Sequence, residues 1–419
     1  MATSTLSTAA KNEGSTPPAP SVWRSPAFLI LLGTGAVMAL GNKIYELALP
    51  LILYDMTRSS VIMSTMRGIE FLPNLLLAMF IGVLVDRVNK KKWSLAAILL
   101  QGMILAALYA AIEFGHPRPI VFYVAGFLLM GFGYAYNNAR VAMVKHSLPN
   151  SQLTSANASY NFVTTLVGIL GPAISGFILM LPKLHEALLV TAISFAGAFA
   201  TLLFIRHNGT NTSRLEERGF WTELRAGWAE LLRNRLLLWM SVIVIFLNST
   251  SGMVDTTIIF YSKDELELSN LELGVVLSAA GIGGLVGSLL IGRLRRHFSV
   301  GKLIALSTLL TSLVLLLFYF ADSVYWLAIG LFLFGWFETI STLSIWTFRQ
   351  ESTPHHLIGR ISGITGSIFK LGMPFAIAFS GWVTKQEGAS LVFLIGFALN
   401  LAVFGLCLVS PLWRRKQSL

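Results

Sequence analysis

Long apolar runs separated by short polar loops recur along the whole chain. Each run can cross the hydrocarbon core of a bilayer as a helix, which takes about 20 residues. A membrane offers no water to unpaired backbone groups, so such runs form helices there. The pattern therefore predicts an all-α polytopic membrane protein. Twelve segments are predicted: residues 27–54, 60–84, 93–114, 120–145, 154–181, 187–206, 236–261, 270–292, 301–320, 324–348, 359–384 and 389–412.

The polar stretches divide the chain into five parts. The first is rich in small residues and proline and lacks the features of a secretory signal, so we expect a disordered tail. The longest internal polar stretch carries Trp221, Leu224, Trp228 and Leu231 at helical spacing, which predicts an amphipathic helix at the membrane face. The predicted parts are a cytoplasmic tail over 1–26, a six-helix bundle over 27–206, a linker over 207–235, a second six-helix bundle over 236–413 and a tail over 414–419.

The two bundles resemble each other in their polar positions. The matching pairs are Gly82 and Gly292, separated by 210 positions, Glu46 and Asp255, separated by 209, and Arg140 and Arg349, separated by 209. Spacing of this kind predicts a parallel repeat whose two copies are related by an axis along the membrane normal. We expect a cavity between the copies near mid-membrane, lined by segments one, two, four, five, seven, eight, ten and eleven.

Basic residues are distributed unevenly between the two sides of the membrane. With both termini on one side, 23 of the 31 lysines and arginines lie on that side, five lie on the other and three lie within segments. Since basic loops stay in the cytoplasm, we predict that both termini are cytoplasmic. The formal charge of +11 is spread over short loops. It therefore predicts contact with a lipid bilayer and not with nucleic acid.

The composition excludes several other classes of protein. The chain is 55% hydrophobic and 12% charged, whereas a soluble protein carries about twice that charge. Cys407 is the single cysteine, and the histidines lack metal-ligand spacing. No nucleotide-binding loop and no nucleophile–base pair appears in the sequence. We therefore expect no disulfide, no metal, no cofactor and no enzymatic activity.

A basic loop follows the second segment. On charge alone it is an ordinary cytoplasmic loop. Its order, Gly-x-x-x-Asp-Arg followed by three lysines, resembles the signature loop between helices 2 and 3 of the major facilitator superfamily. The resemblance implies a cytoplasmic gate, in which we expect Asp86 to cap segment eleven or to pair with Arg140. The candidate gate residues are Gly82, Asp86, Arg87, Lys91, Arg140 and Arg349.

The fifth segment contains a Gly-Pro motif. Gly171, Pro172 and Gly176 predict a kinked helix that packs closely against a neighbour, because proline removes a helix hydrogen bond and glycine permits close approach. Packing alone accounts for many such motifs. The stretch also resembles the Gly-Pro motif of antiporters in the superfamily, although Ala158 and Val167 stand where that pattern prefers glycine.

Seven charged residues lie well inside the predicted segments, away from their ends: Lys43, Glu46, Arg67, Glu70, Asp255, Glu338 and Lys370. Each ionised group at mid-membrane costs roughly 2.5–3.5 kcal/mol, so it should face a partner or a watery cavity. The spacing of three between Lys43 and Glu46, and between Arg67 and Glu70, allows a pair on each helix. The set is either a static structural network or the place where a carboxylate binds a proton or a cationic substrate. Aromatic neighbours of Glu338 suit an amphipathic cation or a large polar-apolar ligand, and a protonated carboxyl that only packs fits equally well. Asp255 is either interfacial or functional.

The resemblance to the superfamily covers residues 25–413. Within it, residues 46–50, 67–73 and 359–363 are similar to the bacterial macrolide-efflux and enterobactin-exporter branch. This resemblance implies a monomeric, proton-driven exporter of a bulky, partly apolar small molecule, located in the bacterial inner membrane. A proton-coupled importer of a small metabolite shares the fold. A membrane scaffold or sensor is the third possibility, but buried ionisable groups would bring it no benefit.

Overall fold

The computed structural model describes residues 21–77, 88–205, 220–353 and 358–414. These residues form helices and no strands. The main helices are α1 (Pro26–Thr57), α2 (Ser60–Leu76), α3 (Lys90–Glu113), α4 (Pro119–Ser147), α5 (Asn150–Ile178), α6 (Glu186–Leu203), α7 (Phe220–Arg233), α8 (Arg235–Phe260), α9 (Asn270–His297), α10 (Val300–Phe320), α11 (Val324–Ser352), α12 (Ile358–Ile368), α13 (Met373–Glu387) and α14 (Ala389–Val409).

Eleven stretches of the described chain are long and apolar enough to cross a membrane. Helix α2, which begins the second predicted segment, is described over 17 residues only. The prediction of an all-α polytopic membrane protein is therefore confirmed. Of the terminal tails and the linker, residues 1–20, 206–219 and 415–419 lie outside the described residues.

Polar residues at the helix starts set where several segments begin. The side chains of Ser25, Asn89 and Asn234 each accept a hydrogen bond from a backbone N–H in the first turn of the following helix. Ser269 and Glu272 form a reciprocal capping box at the start of α9. Such caps satisfy backbone donors that have no partner within the helix.

The eleventh predicted segment is broken into two helices. The sequence predicted one continuous helix over 359–384, but turns at residues 369–372 separate α12 from α13. Pro374 stands in the first turn of α13, where its missing N–H removes no helix hydrogen bond. The carbonyl of Phe369 accepts a hydrogen bond from Asn248 of α8, at 2.9 Å, so the broken backbone is tied to the neighbouring helix.

Buried apolar clusters pack both halves of the chain. One cluster runs through helices α1 to α6 and also includes Ile259 of α8 and Leu273 of α9. Two clusters in the second half join α8 and α10 to their neighbours, and they include the buried thiol of Cys407. Each half is therefore packed internally by apolar side chains, and apolar contacts of α8 and α9 also join the second half to the first.

Close backbone contacts join the halves near the predicted outer face, where α1 ends and α2 begins. A side chain at Gly176 of α5 would meet the backbone of Gly274 in α9 at 2.9 Å, so only glycine permits this crossing. The Ser60 hydroxyl donates a hydrogen bond to the Gly381 carbonyl of α13 at 3.0 Å. Tyr54 donates another, of 2.5 Å, to Asp264 after α8. The outer ends of the halves are thus held together.

Candidate functional site

A cavity of about 190 Å³ lies between the two halves. Helices α1, α2 and α5 line it from the first half, and α8, α9 and α11 line it from the second half. These correspond to segments one, two, five, seven, eight and ten, six of the eight that the repeat predicted. Four of its lining residues are charged: Lys43, Glu46, Arg67 and Asp255.

The charged residues of α1 and α2 form a connected network. Lys43 Nζ lies 3.0 Å from Glu46 Oε2, and Arg67 Nη1 lies 2.9 Å from Glu70 Oε2. Both pairs are spaced by three residues, which brings the side chains to one face of a helix. Arg67 Nη1 also donates to the backbone carbonyl of Glu46 at 3.0 Å, and so joins the two helices.

The two ion pairs of this network differ in their access to the cavity. The Lys43 side chain is 46% exposed and that of Glu46 is 21% exposed. The Arg67 side chain is 16% exposed, and Glu70 is completely enclosed. Glu70 Oε1 is buried and has no hydrogen-bond partner among the described residues. Arg67 therefore separates Glu70 from the cavity, and one carboxylate oxygen of Glu70 remains available to a proton.

Asp255 faces this network from the opposite half of the protein. Its side chain is exposed in the cavity, within electrostatic range of Lys43 and Arg67. No ion pair joins it to a cation among the described residues. The sequence left its position open between interfacial and functional, and the structure locates it in the cavity. Its carboxylate is therefore accessible to a positively charged ligand.

A second cavity, of about 230 Å³, continues from Glu46 towards the predicted inner face. Three amide side chains line it, from Asn42, Asn74 and Asn137, together with the ring of Tyr160. None of these four residues was among the candidates predicted from the sequence. The three asparagines could have been found from the sequence, because an amide inside a membrane-length apolar segment needs a polar partner or water.

The Gly-Pro motif of α5 lines the central cavity and also contacts the second half. Pro172 lines the central cavity, and Gly171 lies beside the Lys43 stem, where an added Cβ would be 3.3 Å from Lys43 Cγ. One turn further on, Gly176 crosses Gly274 of α9. The backbone N–H of Ala173 donates to the Ser278 hydroxyl at 3.1 Å, again across the halves.

The predicted gate is only partly described. Gly82, Asp86 and Arg87 lie outside the described residues, so the expected partners of Asp86 stay a prediction. Lys91 Nζ donates to the backbone carbonyls of Leu203 and Ile205, at 2.8 and 2.7 Å. It thereby satisfies carbonyls at the end of α6, where a cation is favourable.

The two arginines of the predicted gate stack on aromatic rings. The guanidinium carbon of Arg140 lies 3.3 Å from the centroid of Tyr160, and that of Arg349 lies 4.2 Å from the centroid of Trp346. Arg349 also donates to the hydroxyl of Thr365 in α12, at 3.3 Å. Both arginines are buried. Each therefore lies in a packed site at the inner half of its bundle.

Glu338 and Lys370 lie away from the network on α1 and α2. Glu338 lines a small cavity within the second half and accepts a hydrogen bond from Ser251 at 2.5 Å. The sequence left Glu338 open between a contact for a large ligand and a protonated, packing carboxyl, and most of the residues that line this cavity are polar. Lys370 lies in the turn between α12 and α13, and no ion pair joins it to a described residue.

Three bacterial efflux proteins are similar to most of this chain. Macrolide efflux protein A of Streptococcus pyogenes is 22% identical over 92% of this chain and 96% of its own length. The multidrug efflux pump Tap of Mycolicibacterium fortuitum is 26% identical over 94% of this chain and 97% of its own. The enterobactin exporter EntS of Shigella boydii serotype 4 (strain Sb227) is 25% identical over 81% of this chain and 80% of its own.

Known structures and family patterns agree on the fold. A crystal structure of the nucleoside transporter NupG matches with a TM-score of 0.76 and 13% identity, over 93% of this chain and 100% of that one. At this identity the likeness shows the fold alone. The model of the Major Facilitator Superfamily matches residues 31–377 and 243–417. The family resemblance predicted from the sequence is confirmed. The prediction of a transport protein, and not an enzyme, is confirmed as well. The chain belongs to the Major Facilitator Superfamily.

Proposed function

We propose that this transporter exports a bulky, partly apolar small molecule from the bacterial cytoplasm in exchange for protons, acting as a monomer in the inner membrane. The observation that carries the proposal is the charged network of α1 and α2 at the cavity between the halves. The similar efflux proteins, which handle macrolides, several drugs or enterobactin by name, support the export direction.

Glu70 is the proposed proton carrier. It is enclosed, one of its oxygens has no partner among the described residues, and the other is held by Arg67. Protonation of Glu70 would weaken its hold on Arg67, which also donates a hydrogen bond to the Glu46 carbonyl on α1. The packing of α1 against α2 would then change, and this change would be coupled to the opening of the outer contacts.

Asp255 is the proposed contact for a positively charged group of the substrate. Its carboxylate is exposed in the cavity and no cation pairs with it among the described residues. Apolar side chains of Leu47, Ile259 and Leu331 line the same cavity and suit the apolar part of such a molecule. A molecule with both features would occupy this cavity of about 190 Å³ together with the cavity of about 230 Å³ that adjoins it at Glu46, and would pair with Asp255.

The proton gradient supplies enough energy for this exchange. One charge that moves through ~100 mV releases about 2.3 kcal/mol. Since about 1.4 kcal/mol corresponds to a tenfold concentration ratio, this supports a gradient of roughly fortyfold. Import remains the alternative direction. The likeness to a nucleoside transporter does not favour it, because it shows the fold alone.

The test is transport in proteoliposomes with an imposed proton gradient, using fluorescent cationic drugs as probes. Glu70→Gln and Glu46→Gln should abolish uphill export, because the glutamine cannot alternate between protonated and ionised states. Downhill exchange of the probe should persist. Uphill movement in the opposite direction by the wild type would establish import instead.

Glu113→Gln is the matched control. Glu113 is also an ion-paired glutamate, and it accepts hydrogen bonds from Lys183 at 2.5 Å and His185 at 2.8 Å near the predicted outer face. The hydrogen bond from Lys183 to Glu113 raises the pKa of Lys183. This pair lies outside the central cavity, so its loss should leave uphill export intact. Full uphill export by Glu70→Gln would refute Glu70 as the proton carrier, and full uphill export by both Glu70→Gln and Glu46→Gln would refute any role of this network in coupling.

A further inference from the structure

A small polar cavity lies inside the second half, separate from the central cavity. Its volume is about 40 Å³, and side chains of α8, α10, α11 and α14 line it. A drug-sized ligand needs roughly 300–1,000 Å³, whereas one water needs about 10–15 Å³. The cavity therefore has room for an ion with one or two waters. Its oxygen-bearing lining residues include Ser251, Thr308, Thr311, Glu338, Ser341 and Asn400.

Glu338 gives this cavity a negative charge that no described residue balances. The Ser251 hydroxyl donates to Glu338 Oε1 at 2.5 Å. No lysine, arginine or histidine forms an ion pair with Glu338 among the described residues. An ionised carboxylate inside a membrane protein needs a counter-charge, since its burial is costly.

Two further oxygens in the cavity lack a hydrogen-bond partner among the described residues. They are Oδ1 of Asn400, a residue 2% exposed, and Oγ of Ser341, a residue 8% exposed. An amide oxygen can only accept, so Asn400 Oδ1 needs a donor or a cation. The Thr308 hydroxyl donates a hydrogen bond to the Ile304 carbonyl at 2.8 Å. Towards the cavity, its oxygen can therefore only accept a hydrogen bond or bind a cation.

We propose that this cavity is a Na⁺ site. One carboxylate among neutral hydroxyl and amide oxygens supplies hard oxygen ligands with a single negative charge, which matches a monovalent cation. A proton on Glu338 could be donated to only one of the two unpartnered oxygens. A cation can be bound by both of them and by the Glu338 carboxylate at the same time. The site lies within one bundle, so it does not depend on which molecule the transporter exports.

The test measures Na⁺ binding to the purified protein at constant pH and ionic strength, with choline replacing Na⁺. We expect saturable binding of radioactive Na⁺ and a matching rise in the unfolding temperature. KCl in a parallel series tests size selectivity, and K⁺ should stabilise less. Ser341→Ala and Asn400→Ala should each raise the apparent Kd for Na⁺ by about tenfold, because each removes one oxygen ligand.

Ser344→Ala is the matched control. Ser344 lies on the same helix, is completely buried, and its hydroxyl also lacks a partner among the described residues, but it does not line the cavity. The Na⁺ affinity of the Ser344→Ala variant should equal that of the wild type. Glu338→Gln should abolish Na⁺ binding. If that variant fails to fold, the Na⁺ affinities of Ser341→Ala and Asn400→Ala still test the site.

Three results would overturn the proposal. The first is equal stabilisation by Na⁺ and choline. The second is equal loss of Na⁺ affinity in Ser341→Ala and Ser344→Ala. The third is stabilisation by acid without any dependence on Na⁺, which would make Glu338 a site for a proton only.

Discussion

The two halves of this transporter both contain carboxylates inside the membrane, but they balance the charge differently. In the first half a cation precedes each carboxylate by three residues, and in the second half a glycine stands at that position. The pairs are Lys43 and Glu46, Arg67 and Glu70, Gly252 and Asp255, and Gly335 and Glu338. The first half therefore carries a counter-charge on the same helix as each of these carboxylates, whereas Asp255 and Glu338 have none at the matching position of their own helices.

Close packing explains why the second half has no cation at these positions. A Cβ at Gly335 would overlap the backbone carbonyl of Ala280, where α11 crosses α9. A Cβ at Gly252 would lie 3.1 Å from Ile377 Cδ1, within the contact of α8 with α13. At the positions matched by the predicted repeat, Glu46 and Asp255 are both acidic and 209 positions apart, and the residue three positions earlier is a lysine in the first half and a glycine in the second.

The largest effect should come from removing the cation of the enclosed pair. Arg67→Gln leaves Glu70 buried with no ion-pair partner, which should lower the free energy of unfolding by about 3–5 kcal/mol. Denaturant titration in detergent micelles measures the change. Arg67→Gln combined with Glu70→Gln is the control, because it removes both charges and should recover much of the loss. A double variant as unstable as the single one would mean that Arg67 acts through packing.

A smaller effect should come from the glycine that stands in place of a cation in the second half. Gly335→Ala forces α9 and α11 apart, because a backbone carbonyl cannot turn aside as a side chain can. We expect a loss of about 1–3 kcal/mol in the same titration. Gly405→Ala is the control, since nothing lies within 4 Å of a Cβ at Gly405. Equal stability of the two variants would contradict the packing explanation.

The sequence predicted the helical membrane fold well, because segment length is a local signal and the repeat is a periodic one. It also predicted which carboxylates have a partner, since a spacing of three on one helix fixes that geometry. It did not predict which cavity Asp255 and Glu338 each face. Both are lone acids on apolar helices, and the rotation of each helix depends on residues far along the chain. The break at residues 369–372 depended likewise on Gly372 and Pro374 within one otherwise apolar segment.

The smallest effect should come from the exposed pair of the first half. Lys43 and Glu46 are joined at 3.0 Å, about as closely as Arg67 and Glu70, but the Lys43 side chain is 46% exposed. Water and salt therefore stabilise each partner when the other is removed, and such pairs contribute about 0–1 kcal/mol. Lys43→Met should lower the free energy of unfolding by less than about 1 kcal/mol.

Titration of Lys43→Met at low and high salt, beside Arg67→Gln, measures this contrast between an open and an enclosed pair. We expect the loss in Lys43→Met to be larger at low salt, where the attraction between Lys43 and Glu46 is least screened. The loss in Arg67→Gln should change little with salt, because ions do not reach an enclosed pair. A loss in Lys43→Met as large as that in Arg67→Gln would show that the four charges on α1 and α2 act as one unit. Each carboxylate of the first half would then depend on all the charges of the network. The exposed pair and the enclosed pair could no longer be treated as two independent ion pairs.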